Sequence, residues 1–517
     1  MHPRHFAQSQ PDAPALTMLG SGESLTYGEL ELRANREARA LRAAGLRPGD
    51  VVAVFKTNTL GFLPLYWGTQ RSGVVFCPIA KHLTVEEVLY IVENSGAKLF
   101  ITDGGVTHAE AVVGEMRGRG WEGRMLASDI PVAGLPSWNH MVDGESDAPL
   151  ADEEAGNLML YSSGTTGHPK GIAVKRTTAD VLAPSVVSQV IEATYGAGPH
   201  TTYLSPAPLY HAAPLGYCTN LQRLGAHIIV MERFDPEAWL RAVEDYSVQM
   251  SQVVPTMFVR MLQLPQEVRE RYDTSSLQCV LHAAAPCPED IKRRMLDWLG
   301  PVVVEYYGGS EGNGMTSITA KEWLKHPGSV GKPSWGEVHV CDAQGDALPA
   351  GEEGIVYFKG GNTFAYLGDP EKTASAHNPK DPTMSTLGDI GYMNVEGYLF
   401  LTDRLSHTII SGGVNVYPQE IENRLVEHEA VADAAVIGVP DPDFGERVAA
   451  YVQLVDPSRA GEDLRGELLD YLAGRISKVK LPKSLQFVDS LPRTDTGKLI
   501  KRRLKESVAA GTLEVLA

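Results

Sequence analysis

The chain has 517 residues, of which 43% are hydrophobic and 21% charged, a composition typical of a globular protein too long for one ordinary core. Its formal net charge of −18 at pH 7 argues against nucleic acid as a partner, since nucleic-acid-binding surfaces carry excess positive charge. No apolar run approaches the roughly 18 residues of a membrane span, and the first residues lead into no apolar signal core, so we expect neither a membrane span nor a signal peptide.

The five cysteines are scattered and form no Cys-x-x-Cys pair. This usage favours reduced thiols and a cytoplasmic location. Cys279, His282 and Cys287 would supply three zinc ligands, but the fourth ligand of a structural zinc site is missing. We therefore do not expect a zinc centre.

The N-terminal part alternates helical and strand-like segments. Residues 27–45 are predicted as an amphipathic helix, followed by a strand at Val51–Phe55. Thr84 and Glu87 form a capping-box pattern at the start of a further helix, and Gly96 is placed to end it. These signals give the first elements with defined ends.

The same rhythm continues to about residue 330, where the pattern changes. Strands that alternate with helices predict parallel sheets covered by helices, which is an α/β fold. Residues 335–404 instead show short alternating strands with glycine turns. We expect a smaller, antiparallel subdomain there.

Residues 161–171 read Tyr-Ser-Ser-Gly-Thr-Thr-Gly-His-Pro-Lys-Gly, between the apolar run 158–160 and the strand-like residues 172–174. Glycines let backbone N–H groups approach an anion, the hydroxyls add donors, and Lys170 adds positive charge. The segment therefore predicts a phosphate site, although the Walker A spacing is absent. A flexible linker is disfavoured, because linkers rarely carry Pro-Lys-Gly followed by a strand.

A hairpin is predicted at residues 394–397, between arms at 391–393 and 398–401. Asp389 and Arg404 lie beyond the two arms, so closing the hairpin would bring them together. An aspartate can accept hydrogen bonds from both hydroxyls of a ribose, and an arginine can donate beside it. The alternative is an ordinary surface ion pair.

The segment Ser-Ser-Gly-Thr-Thr-Gly-x-Pro-Lys-Gly resembles the phosphate-loop signature of the adenylate-forming superfamily, which contains acyl-CoA synthetases, peptide-synthetase adenylation domains and firefly-type luciferases. The resemblance covers about residues 25 to 505 and favours the acid–CoA ligase branch. Further motifs follow in the order of that family: Tyr-Gly-Gly-Ser-Glu at 307–311, Gly-Ser-Val-Gly-Lys-Pro at 328–333, Leu-Gly-Asp at 387–389, Thr-Asp-Arg at 402–404, Gly-Gly-Val-Asn-Val-Tyr-Pro at 412–418 and Pro-Arg-Thr-x-Thr-Gly-Lys at 492–498.

The resemblance implies a large N-terminal domain of stacked α/β subdomains with a small β-barrel-like subdomain, followed by a small mobile α+β lid. The implied boundary gives an AMP-binding domain at 1–404 and a lid domain at 405–517. Helical patterns at 418–428 and 463–477 fit a lid of that kind. The predicted lid strands lie near 431–438, 447–454 and 484–489.

ATP, Mg²⁺ and coenzyme A are the cofactors that the resemblance implies. Thr165 and Glu311 would hold the magnesium, a hard ion that prefers oxygen ligands. Tyr307 would stack on adenine, and Asp389 with Arg404 would hold the ribose. The complete set implied to contact nucleotide or coenzyme A is Ser162, Ser163, Gly164, Thr165, Thr166, Gly167, Lys170, Ala284, Ala285, Pro286, Glu305, Tyr306, Tyr307, Gly308, Ser310, Asp389, Arg404, Gly412 and Gly413.

Three residues are implied to be catalytic: Lys498, Glu311 and His211. In the family the lysine bridges the α-phosphate and the acyl carboxylate, and the lid then rotates to present the Gly412-Gly413 segment beside a pantetheine tunnel. Three of these assignments also have a plainer interpretation. Glu311 could be a surface carboxylate, His211 a structural histidine, and the glycines a tight turn before a helix.

The chain departs from the family at the hinge, where Ser406 and His407 follow Asp403-Arg404-Leu405. Relatives often carry Lys or Asp at the first of these positions. A small residue tolerates the dihedral change of a hinge, so lid rotation is expected to persist.

His211 matches the family position that borders the acyl carboxylate, and small residues are frequent near the motifs that would surround it. Small linings leave volume, so we infer a bulky apolar acid. The form Glu-Tyr-Tyr-Gly-Gly-Ser-Glu-Gly at 305–312 also resembles bacterial ligases for long-chain or polycyclic acids, including steroid and terpenoid acids. The small residues are Ala212, Ala213, Ala283, Ala284, Gly308, Gly309 and Gly314.

The predicted function is ATP- and Mg²⁺-dependent formation of an acyl-adenylate and pyrophosphate, followed by thioester formation with coenzyme A. The partners are then small molecules, and a homodimer is left open. An enzyme that passes the acyl group to a carrier protein or separate ligase is the runner-up. Nothing in the sequence favours a luciferase-type oxygenase. A catalytically silent nucleotide-binding protein is disfavoured by the intact Lys498, Glu311, Asp389 and phosphate loop.

Lys498→Ala is expected to lose most acyl-adenylate formation while still binding ATP, because one cation in a dry site lowers a barrier by several kcal/mol, about 10²- to 10³-fold in rate. Pyrophosphate exchange measures the first effect and calorimetric titration with ATP the second. Near-normal exchange in the variant would contradict the assignment.

Overall fold

The computed structural model describes residues 2–162, 169–173, 180–411, 414–442, 444–494, 499–513 and 515–516. The chain forms two compact units. The first comprises Met1–Val253, Gln263–Leu281 and Phe364–Pro370, and the second comprises Val254–Leu262, His282–Thr363 and Glu371–Ala517. The boundary at 404/405 stays a prediction.

Helices and strands alternate along most of the first unit. In chain order they are α1 (Pro3–Ser9), β1 (Pro14–Met18), β2 (Ser24–Thr26), α2 (Tyr27–Ala43), β3 (Val51–Phe55), α3 (Phe62–Ser72), β4 (Val75–Pro78), α4 (Val85–Asn94), β5 (Ala97–Thr102), α5 (Ala109–Gly118), β6 (Arg124–Ala127), α6 (Trp138–Asp143), β7 (Asn157–Leu158), β8 (Tyr161–Ser162), β9 (Lys170–Gly171), α7 (Val186–Tyr195), β10 (Thr202–Ser205), α8 (Ala212–Gln222), β11 (His227–Val230), α9 (Pro236–Asp245), β12 (Met250–Val253), α10 (Pro255–Leu262, part of the second unit), α11 (Gln266–Arg269) and β13 (Cys279–His282).

Two mainly parallel arrays organise the first unit. One has the order β6-β5-β3-β4-β7 and is parallel throughout, and the other has the order β12-β10-β11-β1-β2, in which only the pairing of β1 with β2 is antiparallel. Every residue of β3 is buried, because helices cover both faces of a parallel sheet. The predicted parallel sheets are confirmed.

Helix ends in this unit follow the sequence signals closely. The Thr84 side chain accepts from the Glu87 backbone N–H and the Glu87 carboxylate accepts from the Thr84 N–H, so the predicted capping box is present. Gly96 has φ +64°, the left-handed conformation that ends a helix and suits glycine. The helix predicted at 27–45 is α2, which ends at Ala43.

The second unit is richer in strands. After α10 it contains α12 (Glu289–Leu299), β14 (Val303–Gly308), β15 (Met315–Ile318), α13 (Ala320–Trp323), β16 (Ser329–Trp335), β17 (Glu337–Cys341), β18 (Gly354–Lys359), α14 (Pro370–Ser375), β19 (Met384–Met393), β20 (Leu399–Arg404), a 3₁₀ turn (Leu405–His407), β21 (Ile409–Ser411), β22 (Val414–Val416), α15 (Pro418–Val426), β23 (Val431–Asp441), β24 (Gly445–Leu454), α16 (Glu462–Ala473), β25 (Ser484–Val488), α17 (Lys501–Ala509) and β26 (Val515–Leu516). Two further 3₁₀ turns are Pro457–Arg459 and Lys478–Lys480.

Strands β14 to β20 form an antiparallel array with the order β17-β18-β19-β20-β16-β15-β14. The predicted hairpin joins β19 to β20, with the Asn394 N–H donating to the Tyr398 carbonyl. A second sheet has the order β22-β21-β24-β25-β26, with β23 also paired to β24. The three strands predicted at the C-terminal end are present as β23, β24 and β25.

Two predicted segments differ from the structure. Of the strand expected at 172–174, Ile172 forms only a bridge to Tyr366, next to β9 at Lys170–Gly171, and Val174 lies outside the described residues. The helix expected at 463–477 ends at Ala473, because Gly474 follows and glycine disfavours a helix interior. In the part of the chain that the structure describes, no helix has the length and apolar character needed to span a membrane.

A buried carboxylate on α2 links folding stability to pH. Glu37 is 1% exposed, and the Trp138 indole N–H donates to its Oε2 at 2.7 Å. Burial is the largest influence and raises the pKa of Glu37 to about 7, while Arg33 and Trp138 act in the opposite direction. A raised carboxyl pKa stabilises the fold below the unfolded value of 4.5, and that contribution is lost as pH rises through about 7.

Glu37→Gln keeps an oxygen for Trp138 and removes the titration. The parent protein loses stability as pH rises, because Glu37 ionises. The difference in free energy of unfolding, variant minus parent, is therefore expected to increase by about 2 to 3 kcal/mol between pH 5 and pH 8. Urea denaturation at each pH measures the difference. Parallel pH profiles for the two proteins would contradict the expectation.

Candidate active site

The predicted phosphate segment begins and ends in a short antiparallel ladder. Tyr161 pairs with Gly171, and Ser162 pairs with Lys170, so β8 and β9 fix the two ends of the segment, while residues 163–168 lie outside the described residues. A Cβ at Gly171 would lie 2.7 Å from the Tyr161 ring, which explains the glycine there. The Tyr161 hydroxyl donates to Asn94 Oδ1 at 2.7 Å and fixes this ladder to α4.

Lys170, the lysine of the predicted phosphate segment, lies among the described residues. Its Nζ lies 5.0 Å from the centroid of the Tyr366 ring, a cation–π geometry. Backbone hydrogen bonds from Leu367 N–H to Gly171 and from Ala173 N–H to Ala365 hold the two segments side by side. The position of Lys170 is therefore set at the end of the predicted phosphate segment.

Several predicted site residues lie outside the described residues. They are Ser163, Gly164, Thr165, Thr166, Gly167, Gly412, Gly413 and Lys498. The roles assigned to them stay predictions.

His211 lies at the N-cap of α8, and its side chain makes no capping hydrogen bond. Its ring lies 4.6 Å from that of Tyr210, which is 4% exposed. Ala212 and Ala213 form the start of the helix and are half-buried. The position keeps the imidazole on a rigid helix end beside two small residues.

The predicted ribose residues meet in the second unit. Asp389 pairs directly with Arg404 in the β19–β20 register, and Arg404 Nε lies 3.2 Å from Asp389 Oδ1. The Tyr307 hydroxyl donates to Asp389 Oδ2 at 2.6 Å. The expected closeness of Asp389 and Arg404 is confirmed, and Tyr307 joins them. The ligand contacts assigned to the three residues stay predictions.

Electrostatics tie this cluster together. Burial is the largest cause that raises the pKa of the Tyr307 hydroxyl, and the negative charge of Asp389 raises it further, so the phenol stays a donor. The pKa of Arg404 is raised, chiefly by Asp389. Glu311 also contributes to both shifts, which places its charge within reach of Tyr307 and Arg404.

Glu311 follows β14 and lies over a glycine. A Cβ at Gly309 would lie 2.8 Å from Glu311 Oε2 and 2.5 Å from Leu387, so a side chain there would force Glu311 or Leu387 to move. A carboxylate oxygen is a suitable ligand for Mg²⁺, whose remaining ligands can be phosphate oxygens and water. Among the residues that the structure describes, no three His, Cys, Asp or Glu side chains group as a metal site. Glu311 fits a magnesium shared with a triphosphate.

A strained residue lies among Ala284, Ala285 and Pro286, which the family resemblance implies to line the adenine site opposite Tyr307. Ala284 has φ +71°, a left-handed conformation that alanine rarely adopts. Ala284 and Pro286 are exposed, and Ala285 is half-buried. A strained conformation persists only where the surrounding structure holds it, and such residues are frequent at ligand sites.

Glu305 forms an ion pair that the sequence did not suggest. Lys292 of α12 donates to its Oε2 at 2.5 Å, and His282 Nε2 lies 3.7 Å from the same oxygen. All three side chains are buried. Burial raises the pKa of Glu305, and Lys292 opposes that rise. The pair fixes α12 to β14. The nucleotide contact assigned to Glu305 stays a prediction.

Lys292 could have been suspected from its place on α12. The buried residues of that helix are Ile291, Lys292, Met295 and Leu296, so the lysine lies in the apolar stripe. A lysine in such a stripe is rare unless it is paired. Its partner on another strand could not be identified from one sequence.

The remaining predicted positions on β14 are Tyr306 and Gly308, with Ser310 beyond it. Tyr306 is half-buried, and Gly308 and Ser310 are exposed. The inference that small residues leave volume is wrong for two glycines, because their neighbours fill the space. A Cβ at Gly314 would lie 2.2 Å from the Phe358 ring, and Leu387 lies similarly over Gly309.

The Asp403 carboxylate contacts the backbone of Arg404 and residues that follow it in the chain. It accepts from the Arg404 N–H at 2.6 Å and from the Gln419 N–H at 2.9 Å, at the start of α15, and lies 3.6 Å from His407 Nδ1. Burial would raise the pKa of Asp403, but His407, Lys501 and the two N–H donors outweigh it and lower the pKa. The predicted hinge is therefore tied to α15 by one carboxylate.

The basic C-terminal stretch is partly structural. Lys501 Nζ lies 2.7 Å from Glu422 Oε1, and Arg493 donates to Asp433 at 2.5 Å. Lys501 is 7% exposed. A buried lysine keeps its charge only with a partner, which Glu422 provides.

Comparison with known proteins gives one family over most of the chain. The model described as AMP-binding enzyme matches residues 3–366, and the model described as AMP-binding enzyme C-terminal domain matches residues 420–498. A feruloyl-CoA synthase from an Amycolatopsis species is 36% identical over 507 residues, which cover 97% of each chain.

Two further similarities are informative. The fatty acid–[acyl-carrier-protein] ligase ScoC of Streptomyces coeruleorubidus is 31% identical, with 97% of this chain and 94% of that protein covered. The structure of ATP-bound MatB from Rhodopseudomonas palustris has a TM-score of 0.80 at 30% identity and covers 99% of this chain and 100% of that one.

The chain belongs to the AMP-binding enzyme family, in the acid–CoA ligase branch of the adenylate-forming superfamily. It is an AMP-forming ligase that binds ATP and activates an acid through an acyl-adenylate. The α/β fold with a large N-terminal and a small C-terminal domain is confirmed by the similarity to solved structures of this superfamily.

Tyr307→Phe removes the hydroxyl that donates to the buried Asp389 carboxylate. The contact of that carboxylate with Arg404 remains. The KM for ATP is expected to rise about five- to tenfold, since a hydrogen bond to a charged group contributes about 1.5 kcal/mol. Initial rates of pyrophosphate release against ATP concentration provide the measurement. Tyr392→Phe is the matched control, because Tyr392 lies on the same strand as Asp389 and stacks on Phe400 at 5.0 Å. Equal KM values for the two variants would contradict a role of Tyr307 in the nucleotide site.

Proposed function

We propose that this enzyme converts a bulky hydrophobic carboxylic acid, long-chain or polycyclic, into its coenzyme A thioester with ATP and Mg²⁺. The observation that carries the adenylation step is the cluster of Asp389, Tyr307 and Arg404. These residues come from three strands and converge on one buried carboxylate. A carboxylate oriented by two donors is suited to accept hydrogen bonds from ribose hydroxyls.

The first half-reaction needs no protein nucleophile and no strong base. The substrate carboxylate attacks the α-phosphorus of ATP, the bond to the β-phosphate oxygen breaks, and pyrophosphate leaves. The reaction joins anions, so catalysis depends on positioning and on donors and cations at the phosphoryl oxygens. We assign Lys170 and the loop between β8 and β9 to the phosphates and Lys498 to the α-phosphate. Glu311 would hold the magnesium.

The second half-reaction transfers the acyl group to a thiol. The sulfur of coenzyme A attacks the acyl carbon, AMP leaves, and the thiol proton passes to solvent. A thiol with a pKa of about 8.5 supplies enough thiolate at neutral pH without a dedicated base. We assign Gly412 and Gly413 to the pantetheine path, where side chains would obstruct the thiol.

The size of the acid is inferred from the surroundings of His211. Ala212 and Ala213 follow it at the start of α8 and are half-buried, so the side chains next to His211 along that helix are small. Leu387 and Phe358 fill the space next to Gly309 and Gly314, so the proposed volume depends on the alanines rather than on these glycines. The fatty acid named for the Streptomyces relative agrees with a hydrophobic acid.

Ferulate is a second candidate acid, because the relative with 36% identity is a feruloyl-CoA synthase. A carrier protein is a second candidate acceptor, because ScoC is named as a ligase to an acyl-carrier protein. We place the reaction in the cytoplasm, since Cys77, Cys218, Cys279, Cys287 and Cys341 are all free thiols.

One assay separates these proposals. The enzyme is incubated with ATP, Mg²⁺ and each of acetate, benzoate, ferulate, palmitate and cholate, with and without coenzyme A, and products are identified by mass spectrometry. Without coenzyme A, palmitate or cholate is expected to give the acyl-AMP. With coenzyme A added, the same acid is expected to give the acyl-CoA. Preference for acetate or benzoate would overturn the bulky acid, and preference for ferulate would replace it by an aromatic acid.

The acceptor is read from the same experiment. An acyl-adenylate that forms normally but gives no thioester with coenzyme A would overturn coenzyme A as the acceptor. An acyl-carrier protein that then becomes acylated would establish the alternative. Omission of Mg²⁺ with excess chelator is expected to abolish both products, because the triphosphate charge is then uncompensated.

A further inference from the structure

The loop that leads into His211 is held by a residue from another part of the first unit. Asn58 lies between β3 and α3 and is 6% exposed. Its Oδ1 accepts from the Leu209 N–H at 2.9 Å, and its Nδ2 donates to the carbonyls of Met231 at 2.9 Å and Ala207 at 3.3 Å. One amide thus fixes the backbone two and four residues before His211.

The segment that carries Asn58 is itself anchored on both sides. Asp103 Oδ2 accepts from the Thr57 N–H at 2.8 Å and from the Thr57 hydroxyl at 2.9 Å. The Thr59 hydroxyl donates to Asp129 Oδ2 at 2.6 Å. Asp129 is further held by Lys56, whose Nζ lies 2.5 Å away. Asn58 therefore acts from a rigid base and transmits the position of β3 to the loop before α8.

The imidazole of His211 is confined by two rings. Tyr210 lies at 4.6 Å, and His82, from the loop between β4 and α4, lies at 6.4 Å with an interplanar angle of 27°. His82 also lies 6.4 Å from the Tyr210 ring. The three rings form one aromatic group, so His82 restricts the side chain of His211 while Asn58 restricts its backbone.

We propose that Asn58 and His82 are positioning residues for the acid-binding end of the active site, acting through the backbone and the ring of His211 respectively. The inference rests on the proposed function, in which His211 borders the acyl carboxylate. Neither residue needs to touch the substrate. Displacement of a binding group by about 1 Å can cost up to 10²-fold in rate, so a loose loop before His211 weakens capture of the acid.

The test compares Asn58→Ala with Asn378→Ala. Asn378 is also buried and makes three backbone hydrogen bonds, to Gly345, Lys380 and Asp381, but none to the loop before His211. Asn58→Ala is expected to raise the KM for the acid about tenfold while the KM for ATP changes less than about twofold. Asn378→Ala is expected to change neither. Pyrophosphate exchange is measured with the acid that the panel ranks first.

The ring contact is tested by His82→Ala and His82→Phe. The alanine variant is expected to raise the KM for the acid about fivefold, and the phenylalanine variant to restore it to within about twofold, because only ring packing is needed. Rescue by phenylalanine would not follow from loss of a hydrogen bond or charge. This pair keeps the proposal testable if Asn58→Ala fails to fold, which thermal unfolding detects.

Failures of the two proposals can be told apart. If the parent enzyme forms no acyl-adenylate with any acid of the panel, the proposed function fails before any variant is compared. If the parent is active but Asn58→Ala raises both KM values equally or behaves as Asn378→Ala does, only the positioning role of Asn58 is overturned. Equal losses in both His82 variants would overturn the role of His82 in the same way.

Discussion

The register of the β19–β20 hairpin is the constraint on which the proposed ribose site in the second unit depends. It places Asp389, within β19, opposite Arg404 at the end of β20, so that a salt bridge forms between the two strands far from their turn. Successive residues of a strand face opposite sides, and Asp403 accordingly turns from this cluster to the Gln419 N–H at the start of α15. A slip of one residue would exchange the two side chains and lose both contacts.

Local charge balance explains how a protein with a net charge of −18 can hold a triphosphate. Cations near the predicted site are engaged by carboxylates, as Arg404 is by Asp389 and Lys501 by Glu422. Such pairs present little net charge, and they serve mainly to fix geometry. In the proposed function, attraction for phosphate then comes from Lys170 and Lys498 together with the backbone N–H groups and hydroxyls of the glycine- and threonine-rich segment 161–171.

The sequence predicted features that depend on neighbours along the chain. Thr84 with Glu87, the 394–397 turn and the pairing of Asp389 with Arg404 are local signals or follow from one hairpin. The partner of Lys292, the clamp made by Asn58 and the filling of the space next to Gly314 by Phe358 join distant segments, and one sequence carries no pairing information for them. The misplaced strand at 172–174 has a similar cause, because β9 is fixed by its register with β8 rather than by its own apolar pattern.

The class of acid has to be encoded outside the motifs that define the family. The Amycolatopsis and Streptomyces relatives cover nearly the whole chain at 36% and 31% identity, yet their names specify ferulate and a fatty acid. Motif residues that serve ATP are common to such enzymes and cannot distinguish these acids. In the function that we propose, selection acts through side chains beside His211, such as Ala212 and Ala213. Asn58 binds main-chain groups of Ala207, Leu209 and Met231, so those neighbouring side chains can differ in size while the contacts of Asn58 stay the same. Under that proposal Asn58 holds the carboxylate end in place while neighbouring side chains set the size of acid that fits.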